Sequence, residues 1–171
     1  ASQYEHAFQE DAIARYNVGV NVGWRNNDNS AGIHVSGRAK RSKIYNNTII
    51  TKWKNQYKGI SLNNWGGEYP RYTKIYNNVF YAGGTASTHH GVSQMKANGN
   101  LVSHNLYFGN VNPPSGDQNP LTGNPKFANA DGIEAEDFKV LSGSVAIGKG
   151  LLIANNGARD WFGNMVSDTV A

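Results

Sequence analysis

Ile44-Tyr45-Asn46-Asn47-Thr48-Ile49-Ile50-Thr51 returns as Ile75-Tyr76-Asn77-Asn78-Val79-Phe80-Tyr81-Ala82. Working outward, Ala14-Arg15-Tyr16-Asn17-Val18-Gly19-Val20-Asn21 precedes this pair, and Val102-Ser103-His104-Asn105-Leu106-Tyr107-Phe108-Gly109 follows it. In all four, the fourth position is asparagine, the first is apolar, and the position after the asparagine suits a strand. The asparagines are spaced by 30, 31 and 27 residues. Gly32-Ile33-His34-Val35, Gly59-Ile60-Ser61-Leu62 and Gly91-Val92-Ser93-Gln94 follow the first three asparagines at intervals of 15, 12 and 13 residues. Each unit therefore holds at least two short strands joined by Gly/Asn-rich turns, with no room for a crossover helix.

Units of this length suit a coil that adds one strand to each of several parallel sheets and stacks about 4.8 Å above its neighbour. The expectation is an all-β fold, a right-handed parallel β-helix. Its coils span residues 1–110, with about four recognisable rungs. Stacking would place Asn17, Asn47, Asn78 and Asn105 over one another as a hydrogen-bonded amide ladder, at a corner whose left-handed backbone asparagine tolerates. From Asn112-Pro113-Pro114 the repeat dissolves. Residues 111–171 read as a loop-rich C-terminal cap of the same domain, covering the last apolar rung.

Composition agrees. The 171-residue chain carries 20 glycines and 23 asparagines, about a quarter of its length, and long helices disfavour both. It has no cysteine, which excludes disulfides and cysteine-ligated metal sites. No apolar run approaches the ~20 residues of a membrane span. The net charge of +4 and pI near 9.3 favour an anionic partner such as a uronate polymer but are too weak to point to nucleic acid. Arg38, Lys40, Arg41 and Lys43 form the densest basic cluster. The N-terminal residues are polar and lack a signal peptide, as in a mature extracellular chain or a cytosolic one. Asn46-Asn47-Thr48 is the single N-glycosylation sequon. No GxSxG elbow, HExxH, Walker loop or dinucleotide fingerprint occurs.

The repeats, the GIHVSG-type strand, GISLNNWGG, and a closing pattern NPKFAN…DFKVLSGSVAIGKG…ARDWFGN resemble the pectate-lyase-like class of right-handed parallel β-helix proteins. The similarity is greatest to the C-terminal portion of secreted members that act on polysaccharides. It runs over nearly the whole chain, with Val145 where the closing pattern more often has proline. The resemblance implies an extracellular protein that binds, and as an enzyme cleaves, a polysaccharide by lyase-like or hydrolytic chemistry. The class also contains non-catalytic binding and structural solenoid segments, and family members are commonly longer. A non-catalytic module, or one part of a split or longer enzyme, is therefore the alternative reading. A second chain or copy covering the N-terminal end belongs to the same expectation.

Side chains alternate across a strand, so Ile33 and Val35 are expected inside, with His34, Ser36, Ser61, Asn63 and Ser93 outside. Arg38, Trp65 and Lys96 fall in the turns beyond, and Lys58 and His90 just before their strands. β-Elimination needs a base for the proton α to a uronate carboxylate and a cation to neutralise it. His34, Lys58 and Arg38 are the catalytic candidates, and Trp65, Arg71, His90 and Lys96 the substrate-binding ones. Trp65, between glycines, is the best placed to stack on a sugar. Trp24 and Trp53 also lie in turn-like segments, whereas Trp161 reads as structural. Glycoside hydrolysis needs two carboxylates ~5–10 Å apart. Glu10, Asp11, Asp28 and Glu68 offer no convincing pair, because adjacent Glu10 and Asp11 would point to opposite faces and read as solvated charges. No aspartate cluster suggests calcium, and the adjacent His89 and His90 would diverge on a strand, so no metal and no cofactor is expected.

Overall fold

The computed structural model describes residues 9–22, 31–52, 58–64, 67–83, 89–93 and 98–167, the side chain of His89 excepted. Among these residues the protein is all-β, with one 3-10 turn at Ala135–Phe138. Three parallel sheets account for most strands. The first is built from β2 (Ile13–Arg15), β6 (Lys43–Tyr45), β9 (Lys74–Tyr76) and β12 (Leu101–Ser103). The second contains β3 (Val18–Val20), β7 (Thr48–Thr51), β10 (Val79–Ala82), β13 (Leu106–Gly109) and β15 (Leu121–Thr122). The third is β4 (Ala31–Ser36), β8 (Lys58–Asn63), β11 (His89–Ser93) and β14 (Val111–Asn112). A short pair, β1 (Gln9–Glu10) with β5 (Ala39–Lys40), lies beside them. Every repeat unit thus contributes one strand to each of the three sheets, and every pairing within the sheets is parallel.

Register follows the sequence repeat. Ala14, Ile44, Ile75 and Val102 form one column, Ile33, Ile60 and Val92 a second, and Gly19, Ile49, Phe80 and Tyr107 a third. The buried members of these columns make one core. Ile60 and Ile75 are completely buried, and each such side chain contributes ~1.5–3 kcal/mol of burial. Aromatic residues in register stack: Tyr45 on Tyr76 at 5.4 Å between ring centres, Phe80 on Tyr107 at 5.3 Å. These rings explain Gly59 in β8 and Gly91 in β11. A Cβ on Gly59 would collide with the Phe80 ring and one on Gly91 with the Tyr107 ring.

The asparagine ladder is present and, from Asn47 to Asn105, buried. Asn17 Nδ2 donates to Asn47 Oδ1 (2.8 Å), Asn47 Nδ2 to Asn78 Oδ1 (2.9 Å) and Asn78 Nδ2 to Asn105 Oδ1 (2.9 Å). Asn105 Nδ2 ends the series on Asp117 Oδ2 (3.1 Å). The corner differs from expectation in one respect. The left-handed residue is the one before each ladder asparagine: Tyr16, Asn46, Asn77 and His104 have φ of 55°, 53°, 57° and 55°. That turn aims the ladder amide inward, where it satisfies backbone carbonyls as well as its neighbours.

After Gly109 the chain does two things. Residues 111–122 add the pairings of β14 and β15, with Asp117 bridged to Val102. Residues 123–167 then run back along the outside of the β3–β7–β10–β13 sheet. Phe127 and Phe138 pack edge to face and close over Ile50, Val18, Val20, Val79 and Tyr81. This sheet is apolar on both faces because both are covered. Farther on, Asn77 exchanges two 2.8 Å hydrogen bonds with the Leu151 backbone, and Arg15 reaches the Asn155 carbonyl at 3.3 Å. At the opposite end of the stack, Ile13 is exposed and Ala14, Ile33 and Val35 are half-buried.

Candidate functional site

The β4–β8–β11 sheet and the turns beside it carry the described candidates. Lys58 lies in register with His90 and Ala31, His34 with Ser61, Ser61 with Ser93, and Ser36 with Asn63. Neighbouring strands are ~4.8 Å apart, so these residues form rows across successive units. His34 and His90 are exposed and Lys58 is half-buried at the start of β8. Trp65, Lys96, Asp28, Trp24 and Trp53 lie outside the described residues, as does the side chain of His89.

The rows are less open than alternation predicts. Ser61 and Asn63, expected outward alongside His34 and Ser36, are buried. Ser61 belongs to the middle strand and is enclosed between its neighbours, while Asn63 Oδ1 accepts the Ser36 hydroxyl at 2.8 Å. The Ser93 hydroxyl is likewise shut off from solvent. In the His34 row only the histidine is therefore presented. Ser36 Oγ stands 3.5 Å from His34 Nε2, at the limit of an interaction, and its proton is committed to Asn63.

Arg38 and Arg71 converge on one carboxylate that the sequence pattern did not single out as their partner. Glu68 Oε1 is 3.3 Å from Arg38 Nε, and Glu68 Oε2 is 3.1 Å from Arg71 Nη2. The unit repeat accounts for this. Arg71 follows Lys40 by one unit, bridging it in parallel, so the turns carrying Arg38 and Arg71 lie side by side. Two guanidinium groups on one carboxylate leave a net positive charge and unused donors in a fixed fork. The strands set the scale of the face. Lys58 is in register with Ala31 and β4 ends at Ser36, two residues before Arg38, so Lys58 and the end of β4 are about 16 Å apart along the strand direction, five steps of ~3.3 Å. His34 stands between them.

Glu10 and Asp11 do not behave as independent solvated charges. Asp11 has φ 58°, which breaks strand alternation and turns both carboxylates to the same side. Arg41 takes them together, with Nε and Nη2 each 2.8 Å from Asp11 and Nη2 also on Glu10. The Arg41 hydrogen bonds hold both carboxyls below their usual pKa, against a smaller opposing effect of desolvation. Asp117 is buried and receives Tyr107 Oη at 2.8 Å in addition to Asn105. Burial and the neighbouring carboxylate raise the Tyr107 pKa well above its ordinary value. Glu10, Asp11, Glu68 and Asp117 are thus engaged in ion pairs or buried hydrogen bonds, and Glu10 and Asp11, which alternation would send to opposite faces, converge on Arg41. Among the described residues no group of three or more His, Asp or Glu side chains is placed to hold a metal ion.

Comparison with protein-family models, with curated proteins and with solved structures finds no match to this chain.

Proposed function

We propose that the protein is a right-handed parallel β-helix that binds an extracellular polysaccharide, an acidic one by its charge, on the outer face of β4, β8 and β11. Three parallel sheets fed in turn by each unit, with an amide ladder at one corner, support the coil. Parallel crossovers are right-handed in ~98% of cases, which supports the hand. The observation that carries the binding reading is the register that sets Lys58 beside His90 and the Arg38–Glu68–Arg71 cluster on the adjoining turns. A rigid sheet presenting cations and imidazoles at a fixed repeat suits a polymer whose carboxylates also repeat.

Cleavage by β-elimination is the enzymatic form of the same reading. His34 would take the α proton while Arg38 or Arg71 meets the carboxylate. The freed electron pair would form the ring double bond as the glycosidic C–O bond breaks, and the leaving oxygen would take a proton from the base or water. Lys58, at the other end of the strand, would serve as base or carboxylate partner for the next sugar residue along. The test is affinity electrophoresis in gels containing polygalacturonate or other polyuronates, with ultraviolet absorbance of the unsaturated product followed in parallel. Retardation abolished by Lys58→Gln with His90→Ala supports the site. Unretarded migration in every polyuronate refutes it, and retardation without absorbance change assigns binding alone.

A further inference from the structure

We propose a second saccharide site, for neutral sugars, in the cleft between the corner of the stacked units and the returning C-terminal segment. The cleft has a volume of about 470 Å³, within the range of small-molecule sites. One wall is the column of left-handed corner residues, including Tyr16 and Asn46. The other is the turn carrying Asp160, Trp161 and Phe162. The site is independent of the outer-face reading, since it lies against a different sheet.

Its chemistry selects the ligand class. Trp161 reads from sequence as a structural residue of the cap, yet it is 55% exposed on this wall. A tryptophan face left in water beside a cleft is a platform for an apolar sugar face. Across from it stands the half-buried Asn46 side chain, with the Tyr16 ring beside it. A side-chain amide both donates to and accepts from sugar hydroxyls. Two lining residues are charged, and they are of opposite sign. Asp160 accepts the Phe162 N–H (2.9 Å), the Asn164 N–H (2.8 Å) and Asn164 Nδ2 (2.9 Å). Lys139 Nζ lies 4.8 Å from the centre of the Phe162 ring. With one charge of each sign the lining is neutral overall, so the cleft suits a neutral pyranose rather than the uronate expected on the outer face.

Calorimetry with neutral hexasaccharides of β-glucan, mannan, xylan and galactan, with a galacturonate hexamer as comparison, tests the site. At least one neutral sugar is expected to bind, and Trp161→Ala to weaken it about tenfold or more. Asn46→Gly, which keeps the left-handed backbone, is also expected to weaken it. Thermal melting and sedimentation of each variant separate loss of the site from loss of fold. Lys58→Gln with His90→Ala is expected to leave neutral-sugar binding unchanged, and Trp161→Ala to leave polyuronate retardation unchanged. The proposal is overturned if no neutral sugar binds in the millimolar range, or if Trp161→Ala binds as the parent does. A dimer that Trp161→Ala dissociates also overturns it, because a second copy would then occupy the cleft.

Discussion

Replacing Asn78 by alanine removes the most connected amide of the ladder. Asn78 is fully buried. Its Oδ1 accepts the Asn47 N–H (3.1 Å) and Asn47 Nδ2 (2.9 Å), and its Nδ2 donates to the carbonyls of Ile44 (3.0 Å) and Tyr76 (3.1 Å) and to Asn105 Oδ1 (2.9 Å). After truncation Asn47 Nδ2 still reaches the Ala14 and Tyr45 carbonyls, and Asn105 Oδ1 keeps the residue-78 N–H. The Asn47 N–H keeps no such partner. One orphaned buried donor costs ~1–3 kcal/mol, and the three weakened acceptors ~0.5–1.5 kcal/mol each, so the loss is about 3–7 kcal/mol. Asn17 is the control. It is exposed and gives one side-chain bond to Asn47, whose Oδ1 retains the Asn17 N–H. Asn17→Ala is expected to cost under about 1 kcal/mol. Asn78→Asp separates hydrogen-bond direction from volume. It keeps the shape but turns an acceptor toward three acceptors, and is expected to destabilise at neutral pH at least as much as alanine. Urea unfolding followed by circular dichroism gives the differences from the midpoints. If Asn78→Ala lies within about 0.5 kcal/mol of Asn17→Ala, the ladder does not hold the stack together and the reasoning fails.

Gly91→Ala is expected to lower stability by ~1–3 kcal/mol, because the new methyl meets the Tyr107 ring, with Cδ1 at 2.8 Å; an unchanged urea midpoint would show that the ring moves freely. Glu10 and Asp11 have lowered carboxyl pKa values, first through their hydrogen bonds to Arg41. Their contribution is therefore present above the unfolded carboxyl values near pH ~4 and lost as pH falls through the lowered ones. Arg41→Gln should flatten that acid limb, and superimposable stability–pH curves would count against the contact. Tyr107 has a raised pKa, chiefly from burial. Its stabilisation is present below the unfolded value near pH ~10 and is lost as pH rises beyond it. Alkaline unfolding of Tyr107→Phe should consequently begin at higher pH than that of the parent, and an equal or lower onset argues against a protonated, hydrogen-bonded Tyr107.

Much of the fold was legible because stacked parallel units must repeat what they stack. The columns Asn17–Asn47–Asn78–Asn105 and Ile33–Ile60–Val92 appear in the chain as spacings before they appear as contacts. Less legible was which corner residue turns left-handed, since Tyr16 and His104 fill that role as well as Asn46 and Asn77. Propensity favours asparagine, but the inward pull of the ladder amide shifts the turn to the preceding residue. The candidate site was legible as residue types on one sheet. Its accessibility was not, because the burial of Ser61 and Asn63 depends on the strands on either side. The sharing of Glu68 by Arg38 and Arg71 joins two turns of successive units, a proximity that no local pattern encodes.

The sequence by itself determined the repeat, the strand columns and the amide ladder, because each depends on which residue recurs at which interval. Tertiary structure alone decided the course of residues 123–167 back along the second sheet. It also decided the convergence of Glu10 and Asp11 on Arg41 and the exposure of Trp161 over a cleft. The physical reason is that periodic contacts write themselves into the chain as spacings. A single contact between distant segments, such as Asn77 with Leu151, leaves no period to read and is chosen only when the whole chain competes to cover its remaining apolar surface.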